Sequence, residues 1–284
     1  MRRRHTLLDG IVTYGGAGLV MVIVFAPLLW LFISSISTLQ ELLNVPVHWI
    51  PQEPTFDRYR QILYATGTDS AAVFRRSILN SFIVASAVTL ICVGLGSLAA
   101  YSFARLHFAG QGKLMYVMLF SYMLPPIMIM VPLYSIMGKL GLMDTLHGLI
   151  IVYCALIMPF AVWIMRGYFL TIPSDLEDAA LIDGCSRLGA LFRVVLPLSA
   201  PGLVATALFC FLASWEEFLL ALVFTSSPAA KTVPVAISEF VGRHAIDYGM
   251  MATGGIVAAI PPILIALLFQ RYLISGLTSG AVKG

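Results

Sequence analysis

Two short stretches of this chain hold carboxylates in patterns that could do chemistry. Asp175, Glu177, Asp178 and Asp183 fall in "SDLEDAALIDGCSRLGALFRVVLPLSAPG", residues 174 to 202. Glu216 and Glu217 are adjacent in "WEEFLLALVF", residues 215 to 224. Grouped acids can start helices, meet another protein, border a polar path or relay protons. The first group is followed by two arginines, a Leu-Pro and a Pro-Gly, so it reads as a loop. The second lies in an apolar run, where a carboxylate costs about 2.5–3.5 kcal/mol on insertion scales for Asp.

The elements that must position these acids follow from composition. The chain has 284 residues, of which 60% are hydrophobic and 11% charged. Soluble domains carry about a quarter charged residues. Six apolar segments, roughly 11–34, 77–104, 113–137, 147–170, 199–225 and 249–270, approach or exceed the ~20 residues that a bilayer crossing needs. The expected class is an all-α polytopic membrane protein with six transmembrane helices. The polar-inward alternation of a barrel is absent. "MRRRH" precedes a run too long for an ordinary leader, so a retained first span is expected. Pro125-Pro126 should kink or break the third segment, as a structural bend or as a hinge beside a solute path.

Charge sets the expected orientation. With the N-terminus inside, ten of the 17 Lys and Arg lie on the inner side, led by Arg2, Arg3 and Arg4. Six spans then place both termini and residues 174–197 in the cytoplasm, and 35–76 outside. The expected organisation is a tail and first helix over 1–34, an outer loop over 35–76, a five-helix core over 77–270 and a tail over 271–284. "HWIPQEPTFDRYRQIL" in the outer loop suggests a structured cap.

Within the acidic stretch, Ser174 followed by Glu177 is the pattern of a capping box. Three acids in the first turn suit the helix dipole. Gly184 fits the residue after a helix end, and Ser186 can cap a second helix running to Pro197. A helix–Gly–helix loop is expected. From the residues alone it is either a solvated connection or a docking element whose alanines let another surface approach.

Glu216 and Glu217 admit three roles: a structural pairing or near-water position, a border of a solute path together with Trp215 and Phe218, or a proton relay. The four cysteines form no CxxC pair, and the five histidines are scattered. No metal site, HExxH or G-x-S-x-G is visible. The nearest approach to a phosphate-cradling loop is "AGQGKL", where His107 replaces the first glycine and Leu114 the Ser or Thr. Any ATP hydrolysis therefore belongs to another polypeptide.

Asp178-Ala179-Ala180-x-x-x-Gly184, nine residues, then Val194-x-Leu196-Pro197 resembles the EAA motif of ABC-importer permease subunits. Asp178 stands for the usual Glu and Val194 for Ile. "LNSFIVASAVTL", "AAYSFARLHFAG", "LPPIMIMVPLY", "MPFAVWIMRGYF", "WEEFLLALVF" and "QRYLISGLTSGAVKG" are similar to the carbohydrate branch, the maltose-type permeases. The resemblance implies the type I importer fold, with a cytoplasmic coupling loop between the fourth and fifth spans. It implies ATPase coupling through Glu177, Asp178, Ala179, Ala180, Asp183, Gly184, Leu196 and Pro197. It also implies a second permease, two ATPase subunits that hold ATP and Mg, and an extracytoplasmic solute-binding protein. This chain would then bind no cofactor and catalyse nothing. The competing expectation is an ion- or proton-coupled carrier that uses Glu216 or Glu217.

Overall fold

The computed structural model describes residues 7–46, 48–64, 70–241 and 247–281, with the side chains of 7–11 and 273–281 outside the description. Among the described residues the secondary structure is helical, without a β-strand. In chain order the helices are α1 (Leu7–Ile36), α2 (Leu39–Leu43), α3 (Asp57–Tyr64), α4 (Ser70–Arg105), α5 (Gln111–Met123), α6 (Pro126–Lys139) and α7 (Leu146–Leu170). They continue with α8 (Ser174–Ile182), α9 (Arg187–Ala190), α10 (Leu196–Leu198), α11 (Ala200–Trp215), α12 (Leu219–Phe224), α13 (Val233–Ser238) and α14 (Tyr248–Ala281). Leu191–Val195 is a π-helical turn joining α9 to α10.

Among the described residues, four helices are long and apolar enough to cross a membrane: Val12–Ile36, Ser70–Arg105, Leu146–Leu170 and Tyr248–Tyr272. The number rises to six if each of two bent pairs is one span. The first pair is α5 and α6, bent by 94°. The break falls at Pro125-Pro126, as the sequence suggests. Each proline disfavours helical dihedrals in the residue before it, and Leu124 and Pro125 are extended, with ψ near 128°. Pro126 then begins α6, where its missing N–H is no loss.

The fifth apolar segment departs from expectation. It is not one helix over 199–225: α11 ends at Trp215, three residues leave the helical path, and α12 resumes at Leu219. The second segment is longer than expected. At 36 residues, α4 spans about 54 Å at 1.5 Å per residue, more than the roughly 30 Å of hydrocarbon.

The chain divides into two compact units, Met1–Ala72 with Ile237–Ala259, and Val73–Ala236 with Ile260–Gly284. In the first, Thr38 and Glu41 form a complete capping box on α2. The Glu41 carboxylate also accepts from the backbone N–H groups of Gln52 at 2.6 Å and Glu53 at 3.1 Å. Slight desolvation pushes the Glu41 carboxyl up, but these donors and that of Thr38 outweigh it and hold the group below its usual range. Arg58 donates to the carbonyls of Ser35 and Ser37 and lies 3.8 Å from Asp247. The stretch after α1 is thus ordered by polar bonds where it is described.

The second unit holds the main apolar core. α7 lies at its centre and packs on α5 and α11. Tyr153, Leu149, Met165 and Phe169 of α7 are fully buried, with Val84 and Val88 of α4 and Leu220 of α12 in the same core. Gly96 lets Met165 lie 2.8 Å from where a Cβ would stand, so α4 and α7 meet closely there. Leu191 and Val195, both fully buried, carry the acidic loop into this core.

Candidate functional site

The loop helix α8 begins at Ser174, but the expected capping box does not form. Pro173 occupies the cap position and no side chain bonds there. Glu177 turns inward instead and is 5% exposed. Its carboxylate forms an ion pair with Arg105 Nε and accepts from the Tyr101 hydroxyl at 3.0 Å. The guanidinium brings a full opposite charge to the buried carboxylate, whereas the backbone N–H of a cap offers only a dipole. The same pattern at Thr38 and Glu41 has no such competitor, and there the box forms.

Arg105 is the last residue of α4, and Tyr101 lies one turn earlier on the same face. A second guanidinium nitrogen, Nη2, donates to the Ile172 carbonyl at 2.7 Å. Arg105 therefore holds both α8 and the chain that leads into it. The carbonyl of Phe103, also in the last turn of α4, accepts from Arg166 Nε at 3.1 Å and from Gln111 Nε2 at 2.7 Å. Those carbonyls lack intrahelical donors, and here side chains from α7 and α5 supply them.

The other face of α8 is open. Ser174, Asp175, Asp178 and Ala179 are exposed, and Ala180 is half-buried. The Asp178 side chain has no hydrogen bond or ion pair among the described residues. Ile182 is 87% exposed, and Leu176 of α8 and Leu188 of α9 are also exposed. The helix ends in a Schellman arrangement. Asp183 is its exposed C-cap, Gly184 adopts φ +88°, Gly184 N–H reaches Leu181 O at 3.1 Å and Cys185 N–H reaches Ala180 O at 3.0 Å. Ser186 caps α9 by accepting from Gly189 N–H at 3.1 Å. Leu196 is half-buried and Pro197 exposed. Pro197 cannot donate to the turn before it, consistent with the π turn that precedes it.

The second acidic pair stands at the opposite end of α11, about 24 Å away along a 16-residue helix. Trp215 is 4% exposed and stacks on Phe211 with ring centroids 5.7 Å apart. Glu216 ends α11 and is exposed, and Phe218 is 39% exposed. Glu217 is half-buried. It accepts from Tyr153 Oη at 2.6 Å and from the N–H groups of Leu220 at 2.8 Å and Ala221 at 3.0 Å. These bonds satisfy the first turn of α12 and bind it to α7. The structure thus brings the loop residues together, with Glu177 facing inward. It keeps Trp215–Phe218 apart from them.

The sequence assigns no partner to Tyr101, Arg105 or Tyr153. Arg105 enters the charge count only as one of the inner-side basic residues. The four-residue spacing from Tyr101 was the available signal, but nothing in the sequence names a partner 72 residues away. Among the described residues no group of three His, Cys, Asp or Glu could hold a metal ion.

Residues 92–279 match the family model "Binding-protein-dependent transport system inner membrane component". The chain is 38% identical over 282 residues to the trehalose/maltose transport system permease protein MalG of Thermococcus litoralis, covering 99% of each. It is 40% identical over 260 residues to the trehalose transport system permease protein SugB of Mycobacterium tuberculosis, covering 91% of this chain and 92% of that one. A solved bacterial ABC transporter involved in import of the acidic polysaccharide alginate has a chain of the same fold. The TM-score is 0.75 at 22% identity, covering 96% of this chain and 99% of that one.

Proposed function

The chain belongs to the family of binding-protein-dependent transport system inner membrane components, and on that premise we propose that it is the permease subunit of an ATP-driven carbohydrate importer. The solute class is a sugar, oligosaccharide, polyol or glycerophosphodiester-type molecule. The names of the two relatives, both tied to trehalose, support a sugar. A second permease completes the path, two ATPase subunits bind ATP and Mg, and an extracytoplasmic binding protein delivers the solute.

Both termini and the loop over 174–197 lie in the cytoplasm on this reading. α8 seats in the ATPase surface, and ATP-driven closure moves the loops so that the spans alternate in access. The observation that carries the reading is the two-sided character of α8. Its Glu177 face is fastened to α4, while Asp178, Ala179 and Ile182 stand open beside it. A helix held on one face and bare on the other suits a contact with a second protein. Gly184 shapes the turn that presents it. Glu216 and Phe218, both exposed, border the solute path with Trp215 behind them, while Glu217 holds the break in place.

Purification of the tagged chain from cells that co-express the transport system tests the reading. The unaltered chain should bring down an ATPase and a second permease. Asp178→Lys and Gly184→Asp should reach the membrane but lose the ATPase. Normal ATPase recovery and uptake in both variants would remove the docking role.

A further inference from the structure

The only side chain of α8 that bonds to a membrane helix, among the described residues, is that of Glu177. Its two partners, Tyr101 and Arg105, lie one turn apart on α4. Arg105 is 14% and Glu177 7% exposed at the side chain, so water competes little for the pair. Arg105 uses Nε on the carboxylate and Nη2 on Ile172 O. A lysine is a point charge and cannot span two acceptors in this way. Arg166 and Gln111 fix the Phe103 carbonyl in the same turn. Bonds from α5, α7, the 171–173 link and α8 thus converge on the last turn of α4.

The loop has a second connection to the core, through Leu191 and Val195. Apolar contacts are non-directional and permit sliding. The carboxylate–guanidinium bond fixes direction and register. We infer that Glu177 is a positioning residue that locks α8 to the end of α4, so that a displacement of the docking helix is carried into α4 as a rigid-body movement. It therefore does not contact the ATPase, a role that falls to its neighbour Asp178. The inference rests on the importer reading.

The test uses the complete complex, with Cys185→Ser to remove the accessible thiol. Spin labels are placed at Asp175→Cys on α8 and Leu98→Cys on α4. Their separation is measured without nucleotide and with ATP plus vanadate. In the otherwise unaltered complex the distance should stay constant within about 2 Å. In Glu177→Gln and Arg105→Lys it should broaden and shift with nucleotide, while ATPase recovery stays within about two-fold. A nucleotide-dependent change in the unaltered complex would overturn the inference, even if both variants failed to assemble. So would an unchanged distance in Glu177→Gln, or loss of the ATPase from that variant as severe as from Asp178→Lys. If the unaltered chain recruits no ATPase at all, the importer reading fails instead.

Discussion

Glu177 and Asp178 are neighbours in sequence, as are Glu216 and Glu217, and in each pair one carboxylate is bound by the fold while the other stands exposed. The means differ. Glu177 and Asp178 share a helix, so their side chains diverge by about 100° and one must face inward when the other faces out. The inward one meets a cation, Arg105. Glu216 and Glu217 lie where the helix stops, and the half-buried Glu217 is held by two backbone N–H groups and a tyrosine hydroxyl. The first pair fastens a loop to the core and leaves an exposed face. The second closes a break between α11 and α12 and leaves a single exposed acid.

Removal of each bound carboxylate should hurt far more than removal of its neighbour. The largest loss should come from Glu177→Ala, which strands a buried guanidinium at a cost of about 3–5 kcal/mol. Asp178→Ala should stay within about 0.5 kcal/mol. Thermal unfolding of the purified chain in detergent measures both, and equal losses would erase the distinction. Glu217→Ala comes next at about 2 kcal/mol, since it leaves the N–H groups of Leu220 and Ala221 and the Tyr153 hydroxyl without their acceptor. Glu217→Gln should recover part of that loss, whereas Glu216→Ala should be close to neutral.

Gly184→Asp sharpens the loop half of the comparison. The left-handed conformation at φ +88° costs a residue with a Cβ about 1–2 kcal/mol. A Cβ there would meet nothing within 4 Å, so the cost is backbone strain at the turn. The chain should still fold, and ATPase recovery should fall.

The smallest effect lies outside both pairs and serves as a reference. Asp144 accepts from Ser226 and Ser227 N–H at 2.8 and 2.9 Å. Partial burial pushes its carboxyl up, and these donors outweigh it and hold it below the usual range. The carboxylate then adds stability above the unfolded value of about 3.9, and that stability is lost as pH falls through the lower folded value. Asp144→Asn should be less stable than the parent at neutral pH, and the two should converge in acid. A constant gap across pH would show that the charge is irrelevant.

Much of the fold was legible because apolar length and prolines act locally. The break at Pro125-Pro126 follows from dihedral preference, and the glycine turn at 184 from left-handed geometry. The capping box at Ser174 was misread because a local pattern cannot show a distant rival for the same carboxylate. Arg105 is that rival, and only packing brings it there. The break after Trp215 was equally hidden, since residues 199–225 are apolar on both sides of it. Glu217 looked like a costly charge in a span, when its donors come from α7 and from the helix it caps.

ATP dependence of uptake tests the central claim most directly. Reconstituted into liposomes with the proposed second permease, ATPases and binding protein, the chain should support uptake of a labelled carbohydrate that the binding protein recognises, and only when ATP is enclosed with the ATPases. Dissipation of proton and sodium gradients should leave that uptake intact. Uptake that continued without ATP and followed either gradient would contradict the importer reading and favour a carrier that uses Glu216 or Glu217.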